Sequence, residues 1–115
     1  MMEAGLPKRE RLCGQQAVAA LFEHGKTLSS GCLRCRYLHG EAASDTPRIV
    51  VSVPKRLFKR AVKRNLLKRR IRESYRRQKD LVPKGTDMLF VYTDREVQSY
   101  EAVYAAMTAI LSALK

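Results

Sequence analysis

The alternation of apolar and polar positions divides the first half of the chain into a short helix and two strands. Residues 15–23 carry apolar side chains at helical spacing, and Gly25 supplies the expected C-terminal stop of this first helix. In residues 31–39, apolar side chains alternate with arginines, which predicts a half-buried strand with a basic second face. Residues 48–54 are rich in β-branched side chains and predict another strand, which Pro54 ends or places at a sheet edge.

The second half predicts a basic helix, a buried strand and a core-facing helix. The basic helix lies within residues 59–79 and ends before Pro83 and Gly85, which break helices. Residues 87–93 form a continuous apolar run, typical of a strand covered on both faces. The final segment repeats apolar side chains at i, i+3, i+4 and i+7 after Ser99, which is the expected N-cap.

This order of elements predicts a single α+β domain over residues 1–115, with helices packed on a sheet. The chain of 115 residues, 45% of them hydrophobic, is long enough for one modest core. The basic helix joins two strands and is therefore a crossover connection. The general handedness rule would make that crossover right-handed.

The basic helix is predicted to have an apolar docking face and an opposite, projecting face. At about 100° per residue, the docking face collects Leu67, Ile71, Ser74, Tyr75 and Gln78. The projecting face collects Asn65, Lys68, Arg69, Arg72 and Arg76. The first residues of the segment, including Phe58, Ala61 and Val62, do not continue the docking face, so the pattern leaves open where the helix begins.

The positive charge of the chain is concentrated in this helix and the residues before it. The net charge is +12, and residues 55–79 hold thirteen basic side chains against one acidic one, Glu73. Like charges at i, i+4 each cost about 0.2 to 0.5 kcal/mol, and only Glu73, beside Arg69 and Arg77, relieves them. A polyanionic partner would supply the countercharge. Eight of these cations are arginine, which binds phosphate bidentately, so nucleic acid is the favoured partner.

Other partner classes and protein-based catalysis fit the pattern less well. A membrane-surface helix would display large apolar residues that the docking face lacks, and a double-stranded DNA reader would have a tight turn before its recognition helix. Two histidines, without paired carboxylates, a P-loop or a nucleophile elbow, give no catalytic protein residue. No apolar run reaches the about 18 to 20 residues of a membrane span, and no signal-peptide core is present, so a cytoplasmic location is predicted.

The cysteines are expected to be reduced, because their number is three and no export signal is predicted. Cys32 and Cys35 form a CxxC that could be combined with Cys13 and His39 into a zinc site. Residues three apart on a strand point to opposite faces, so these two thiolates are not expected to converge on one ion. Buried thiols are therefore predicted, and no metal site.

The segment AVKRNLLKRRIRESYR, Ala61–Arg76, resembles the signature of the bacterial ribonuclease P protein subunit. The matching positions are Arg64, Asn65, Lys68, Arg69, Arg72, Glu73, Tyr75 and Arg76. Leu66 stands where the family has the second arginine of an Arg-Asn-Arg triplet. The similarity extends over nearly the whole chain, with departures at Pro54 and at residues 57–59, where one extra residue is present.

This resemblance implies a two-layer α/β sandwich of order α-β-β-β-α-β-α, similar to a ribosomal-protein domain, with a left-handed crossover through the basic helix. It also implies an RNA-binding subunit of the ribonucleoprotein endoribonuclease that removes the 5′ leader from precursor tRNA. The implied partners are the catalytic RNA, which carries the Mg²⁺ and the chemistry, and precursor tRNA. Neither a membrane nor an obligate protein partner is implied.

The resemblance also implies two sets of site residues. Those facing the catalytic RNA are Arg64, Asn65, Lys68, Arg69, Arg72 and Arg76. Those lining a cleft for the single-stranded leader are Phe22, Arg36, Ser52, Lys55 and Arg56. An aromatic ring beside cations suits unpaired RNA, because bases stack while cations follow the backbone. Alternatives remain open: Phe22 in the core, Arg36 and Ser52 as ordinary strand residues, and a structural RNA-binding protein without a substrate cleft.

Overall fold

The computed structural model describes residues 21–39, 48–82 and 86–114, without the side chains of His39 and Arg48. Residues 21–24 are helical and are called α1. The other elements are β1 (Lys26–Ser30), β2 (Leu33–His39), β3 (Arg48–Ser52), α2 (Ala61–Arg76), a 3-10 helix (Lys79–Leu81), β4 (Thr86–Tyr92) and α3 (Tyr100–Ala113). The start of the predicted first helix, the loop before β3 and the residues Pro83 and Gly85 lie outside the described residues.

The four strands form one sheet in the order β1-β2-β4-β3. β2 is antiparallel to β1 and to β4, whereas β3 and β4 are parallel neighbours. Parallel neighbours need a crossover connection, and α2 is that connection, as predicted. The α+β fold is confirmed, while the hand of the crossover stays a prediction.

Strand β1 is absent from the prediction made on residue pattern alone. Its five residues, KTLSS, are exposed or half-buried, because β1 lies at the edge of the sheet and pairs only with β2. An edge strand of this composition lacks the apolar alternation that marks a strand. The three strands before the basic helix that the family resemblance implies are present.

The two faces of the sheet are covered differently. Helices α2 and α3 pack on one face, where Tyr75 lies 6.1 Å from Phe90 and Phe58 lies 5.8 Å from Tyr92 between ring centroids. On the opposite face Leu21 of α1 packs with the β4 residue Leu89 and with half-buried neighbours. β4 is therefore covered on both faces, as its continuous apolar run predicts.

Helix α2 presents the predicted docking face to the core. Leu67, Ile71, Ser74 and Tyr75 are buried within it, and Gln78 is buried just beyond its end. The helix begins at Ala61, after a turn in which the carbonyl of Pro54 accepts the N–H groups of Leu57 and Phe58.

The predicted helix end near Pro83 is wrong, because α2 stops at Arg76. The Gln78 side chain donates to the carbonyl of Tyr104 at 3.5 Å and accepts the Thr108 hydroxyl at 2.6 Å. These contacts with α3 accompany the end of the helix, and the 3-10 turn follows. Such contacts are tertiary and leave no periodic pattern in the chain.

Helix α3 agrees with the prediction in position and orientation. The Ser99 hydroxyl accepts the N–H of Ala102 at 3.2 Å, which makes Ser99 the N-cap. Its buried residues are Val103, Ala106, Met107, Ile110 and Leu111. Within the described ranges, no helix combines the length and the hydropathy that a membrane crossing requires.

Candidate RNA interface

The first candidate surface is the α2 basic face, made of Asn65, Lys68, Arg69, Arg72 and Arg76. Asn65, Arg69 and Arg76 are exposed, and the other two are half-buried, so the predicted projection away from the core is confirmed. With the residues that the structure describes, Lys68 and Arg69 form no hydrogen bond or ion pair. Their charges are therefore available to an external anion.

Arg64 is oriented toward the chain that precedes α2. Its Nη1 donates to the carbonyls of Phe58 at 2.7 Å and Lys59 at 2.8 Å, and the residue is half-buried. The guanidinium thus holds the loop that leads into the helix. Sequence reasoning assigned Arg64 to RNA contact, and this local role was missed because a hydrogen bond to a backbone carbonyl has no residue-type signature.

The single acid of the basic segment, Glu73, is held by two arginines. Its carboxylate accepts two hydrogen bonds from Arg76, at 3.0 and 2.7 Å, and one from Arg77 at 2.9 Å. Hydrogen bonds from Arg76 and then Arg77 lower the pKa of Glu73 to about 2. The predicted pairing with Arg77 is confirmed. The pairing with Arg69 is wrong, because both carboxylate oxygens are engaged at the C-terminal end of α2.

The second candidate surface is the sheet cleft, on the face opposite α2 and α3. It is a cavity of about 310 Å³ lined by Phe22, Thr27, Arg34, Arg36, Leu89 and Val91. Phe22 is 58% exposed, so the alternative that places it in the core is wrong. Its ring centroid lies 5.9 Å from Cζ of Arg36. An aromatic ring and two arginines therefore share one opening.

Strand register explains why these distant residues meet. Arg36 of β2 is paired with Thr27 of β1 on one side and with Leu89 of β4 on the other. Directly paired residues point to the same face of a sheet. The neighbouring row runs Ser29, Arg34, Val91 and Ser52. The half-buried Ser52 therefore shares the cleft face, and the structure brings Phe22, Arg36 and Ser52 together.

The two remaining predicted cleft residues, Lys55 and Arg56, follow β3 and are exposed. Arg56 lines a separate cavity of about 660 Å³ with Leu57, Thr93 and Arg95. Segments that follow two parallel neighbouring strands emerge at the same end of the sheet, which places Arg95 beside Arg56. Sequence reasoning missed Arg95, because only the parallel pairing of β3 with β4 connects these positions.

The loop that carries Arg95 is held by a hydrogen-bond network. The Tyr92 hydroxyl donates to the carbonyl of Glu96 and accepts the N–H of Gln98 at 3.0 Å. The Asp94 carboxylate accepts the N–H of Glu96 at 2.9 Å, and Arg70 of α2 donates to the carbonyl of Gln98. Burial raises the pKa of Tyr92 to about 12, so its hydroxyl remains a donor at neutral pH. Arg70 therefore acts inside the protein.

The two described cysteines are buried in the same apolar cluster. The prediction that their side chains lie on opposite faces of one strand is wrong, because Cys32 lies in the turn before β2, where alternation does not apply. Burial raises the pKa of Cys35 to about 12 and also raises that of Cys32. The described residues contain no group of three or more His, Cys, Asp or Glu side chains suited to a metal ion. Cys13 and the His39 side chain lie outside them.

Comparison with known proteins gives matches over most of the chain. A family model described as Ribonuclease P matches residues 6–115. A ribonuclease P protein component of Chlorobaculum tepidum is 39% identical over 84 residues, covering 70% of this chain and 54% of that protein. One of Porphyromonas gingivalis is 42% identical over 79 residues, covering 68% and 58%. The chain thus matches little more than half the length of these two relatives. The component of Thermotoga maritima is 32% identical over 102 residues, covering 89% and 85%.

Solved structures show the same architecture. The RNase P protein from Thermotoga maritima superposes with a TM-score of 0.79 at 25% identity, covering 92% of this chain and 98% of that one. A Staphylococcus aureus RNase P protein gives a TM-score of 0.79 at 19% identity, with 92% and 95% covered, which concerns the fold alone. With the family match over residues 6–115, these similarities show that the chain belongs to the ribonuclease P protein family.

Proposed function

We propose that this protein is the RNA-binding subunit of ribonuclease P, the ribonucleoprotein endoribonuclease that removes the 5′ leader from precursor tRNA. The α2 basic face binds the catalytic RNA, and the sheet cleft binds the single-stranded leader. One observation carries the proposal: Phe22 is exposed beside Arg34 and Arg36 on a sheet face that α2 and α3 leave uncovered.

The α2 basic face has the chemistry of a phosphate-binding surface. Arginine presents planar donors that match phosphate oxygens, and the exposed Arg69 forms no bond with the described residues. RNA that neutralises these cations releases its condensed counterions, which favours binding at low salt. The like-charged i, i+4 pairs of the helix lose their mutual repulsion in such a complex.

The sheet cleft has the chemistry of a site for unpaired nucleotides. Bases within an A-form helix are stacked on one another, whereas unpaired bases can stack on an aromatic side chain. The exposed ring of Phe22 offers such a stacking surface, and Arg34 lies in the same cavity to follow the backbone. A tRNA precursor differs from mature tRNA by an unpaired leader, which is the part that this cleft suits.

Hydrolysis is assigned to the catalytic RNA and to the Mg²⁺ that it carries. Mg²⁺ prefers oxygen ligands in a near-octahedral arrangement. In the described ranges, acidic side chains do not cluster with other metal ligands in threes, and the Glu73 carboxylate is engaged by Arg76 and Arg77. No protein side chain is therefore assigned a catalytic role. The protein contributes binding and positioning.

Reconstitution with the catalytic RNA tests this function. We expect the protein to allow cleavage of precursor tRNA at Mg²⁺ concentrations where the RNA alone is slow. Arg69→Ala combined with Arg72→Ala should impair this cleavage and lower the salt dependence of RNA binding by about two phosphates, at about 0.7 to 0.9 in log–log slope for each. Circular dichroism should show an unchanged fold.

A matched control removes two cations outside the α2 basic face. Lys26→Ala combined with Arg77→Ala has the same change in net charge, and it should impair cleavage less. Wild-type cleavage by the Arg69 and Arg72 double variant would contradict the assignment of this face. Equal affinity of the wild-type complex for precursor and mature tRNA would instead favour the alternative of a structural RNA-binding protein without a substrate cleft.

A further inference from the structure

Arg36 lies in the sheet cleft, but its donors are used inside the protein. Nε donates to the carbonyl of Leu21 at 2.6 Å and Nη2 to the carbonyl of Phe22 at 2.6 Å. Nη1 donates to the Thr27 hydroxyl at 3.1 Å. All three nitrogens of the guanidinium are therefore engaged, and they join α1 to both strands of the first hairpin.

The two carbonyls belong to the last turn of α1. Carbonyls at a helix C-terminus lack partners within the helix, and a cationic donor there also interacts favourably with the helix dipole. The N–H of Gly25 binds the same Leu21 carbonyl at 2.9 Å. Arg36 thus completes the C-terminal cap of the helix that carries Phe22.

The junction between α1 and β1 is tightly packed around this cap. A Cβ atom at Gly25 would lie 2.3 Å from the Leu21 carbonyl oxygen and 3.2 Å from Cγ of Arg36. Only glycine allows the chain to pass so close. The direction in which α1 leaves the sheet, and hence the place of the Phe22 ring, depends on the Arg36 stem and its guanidinium.

We infer that Arg36 is a positioning residue for the leader cleft: it caps α1 and fixes the Phe22 ring at the opening, rather than serving as the cation that follows the leader backbone. This rests on the proposed function of the cleft. Arg34 differs from it in this respect, because it is exposed in the same cavity and forms no hydrogen bond with the described residues.

The two roles predict different results for Arg36→Lys. Lysine retains the positive charge and would largely preserve a phosphate contact. Its ammonium is a point charge, however, and cannot reproduce a planar fork whose three nitrogens bind Leu21, Phe22 and Thr27 at once. A positioning role is therefore lost in the lysine variant although the charge remains.

A tryptophan probe reports directly on the position of the ring. The chain contains no tryptophan, so Phe22→Trp introduces a single fluorophore. In this background we expect Arg36→Lys to lower the fluorescence anisotropy of the free protein, because the probe gains local mobility. Arg34→Lys, two residues away on the same strand face, should leave the anisotropy unchanged. Unchanged anisotropy in Arg36→Lys would overturn the inference.

Binding provides the second readout. In the reconstituted complex, Arg36→Lys should reduce the preference for precursor over mature tRNA by about fivefold, the lower end of the effect of one stacked base, with an unchanged salt slope. It should add little to the loss caused by Phe22→Ala. If lysine preserves the preference while Arg36→Gln loses it together with one phosphate of salt slope, Arg36 is a phosphate contact and the inference is wrong.

The two proposals can fail separately. If wild-type protein shows no preference for precursor tRNA, the proposed function of the cleft fails, while the anisotropy of the free protein still reports whether Arg36 holds the ring. Urea unfolding of each variant verifies that it is folded. Should Arg36→Lys prove unfolded, Arg36→Gln, which retains two amide donors, takes its place in the anisotropy measurement with the same expectation and the same overturning result.

Discussion

The α2 basic face and the sheet cleft are both cationic, but they are built in different ways. The first lies on one helix, where about 3.6 residues per turn bring Lys68 and Arg72 together from neighbouring positions in the chain. The second combines residues from α1, β1, β2 and β4. A helical surface is therefore local in sequence, whereas the cleft exists only after the strands have paired.

The surfaces also differ in how their arginines are used. Arg69 projects from α2 and forms no bond with the described residues, whereas Arg36 in the cleft binds three protein groups. Arg64 and Arg70 on α2 likewise bind backbone carbonyls. The number of cations in a segment thus overstates the number that can meet a phosphate.

The largest effect should come from removing the support that both surfaces share. Leu67 is fully buried where α2 packs on the sheet, so Leu67→Ala should lower the free energy of unfolding by about 2 to 5 kcal/mol. Leu66→Ala, at the half-buried neighbouring position, is the matched control and should cost less. Urea unfolding measures both. A loss below about 1 kcal/mol for Leu67→Ala would mean that this contact does not hold α2.

A smaller effect should separate the two surfaces. Phe22→Ala should weaken the preference for precursor over mature tRNA by about 1 to 3 kcal/mol for a stacked base. Its salt slope should equal that of the wild type, because no charge is removed. Titrations at several salt concentrations test this, with the Arg69 and Arg72 double variant as the comparison. A reduced slope for Phe22→Ala would show that the two surfaces are coupled.

The smallest effect concerns the acid at the end of α2. The pKa of Glu73 falls from an ordinary 4.5 to about 2, so its pairing stabilises the fold above pH 4.5 and is lost as the pH falls toward 2. Since the pair is partly exposed, Glu73→Gln should cost about 0.2 to 1 kcal/mol at neutral pH. The cost should shrink at acidic pH.

Urea unfolding between pH 2 and 7 compares Glu73→Gln with the wild type. A difference that is equal at every pH would contradict a role for the ionised carboxylate. The substitution also releases Arg76 and Arg77 from their shared partner. RNA affinity should therefore rise slightly, which would show that an internal acid limits the charge of this face.

Several features could be predicted because they depend on neighbouring residues. The docking face of α2, the N-cap Ser99 and the covered strand β4 all follow from periodicity or from a local hydrogen bond. The family signature lies in one helix for the same reason. The predicted cleft residues Phe22, Arg36 and Ser52 came only from the resemblance, since no pattern within the chain connects them.

Other features depend on partners that are distant in the chain. β1 is held by its pairing with β2, and α2 ends where Gln78 meets α3. Arg95 reaches Arg56 only because β3 and β4 are parallel neighbours. Propensity and spacing describe each segment by itself, so these outcomes were missed or misplaced.

The sequence by itself determined the local elements of this protein, the concentration of positive charge within residues 55–79 and the family to which that helix points. Only the tertiary structure decided which arginines remain available and which, like Arg36, serve the fold. The reason is physical: charge and helical period belong to residues and their neighbours, whereas a guanidinium is engaged only when strand pairing brings a carbonyl within hydrogen-bond distance.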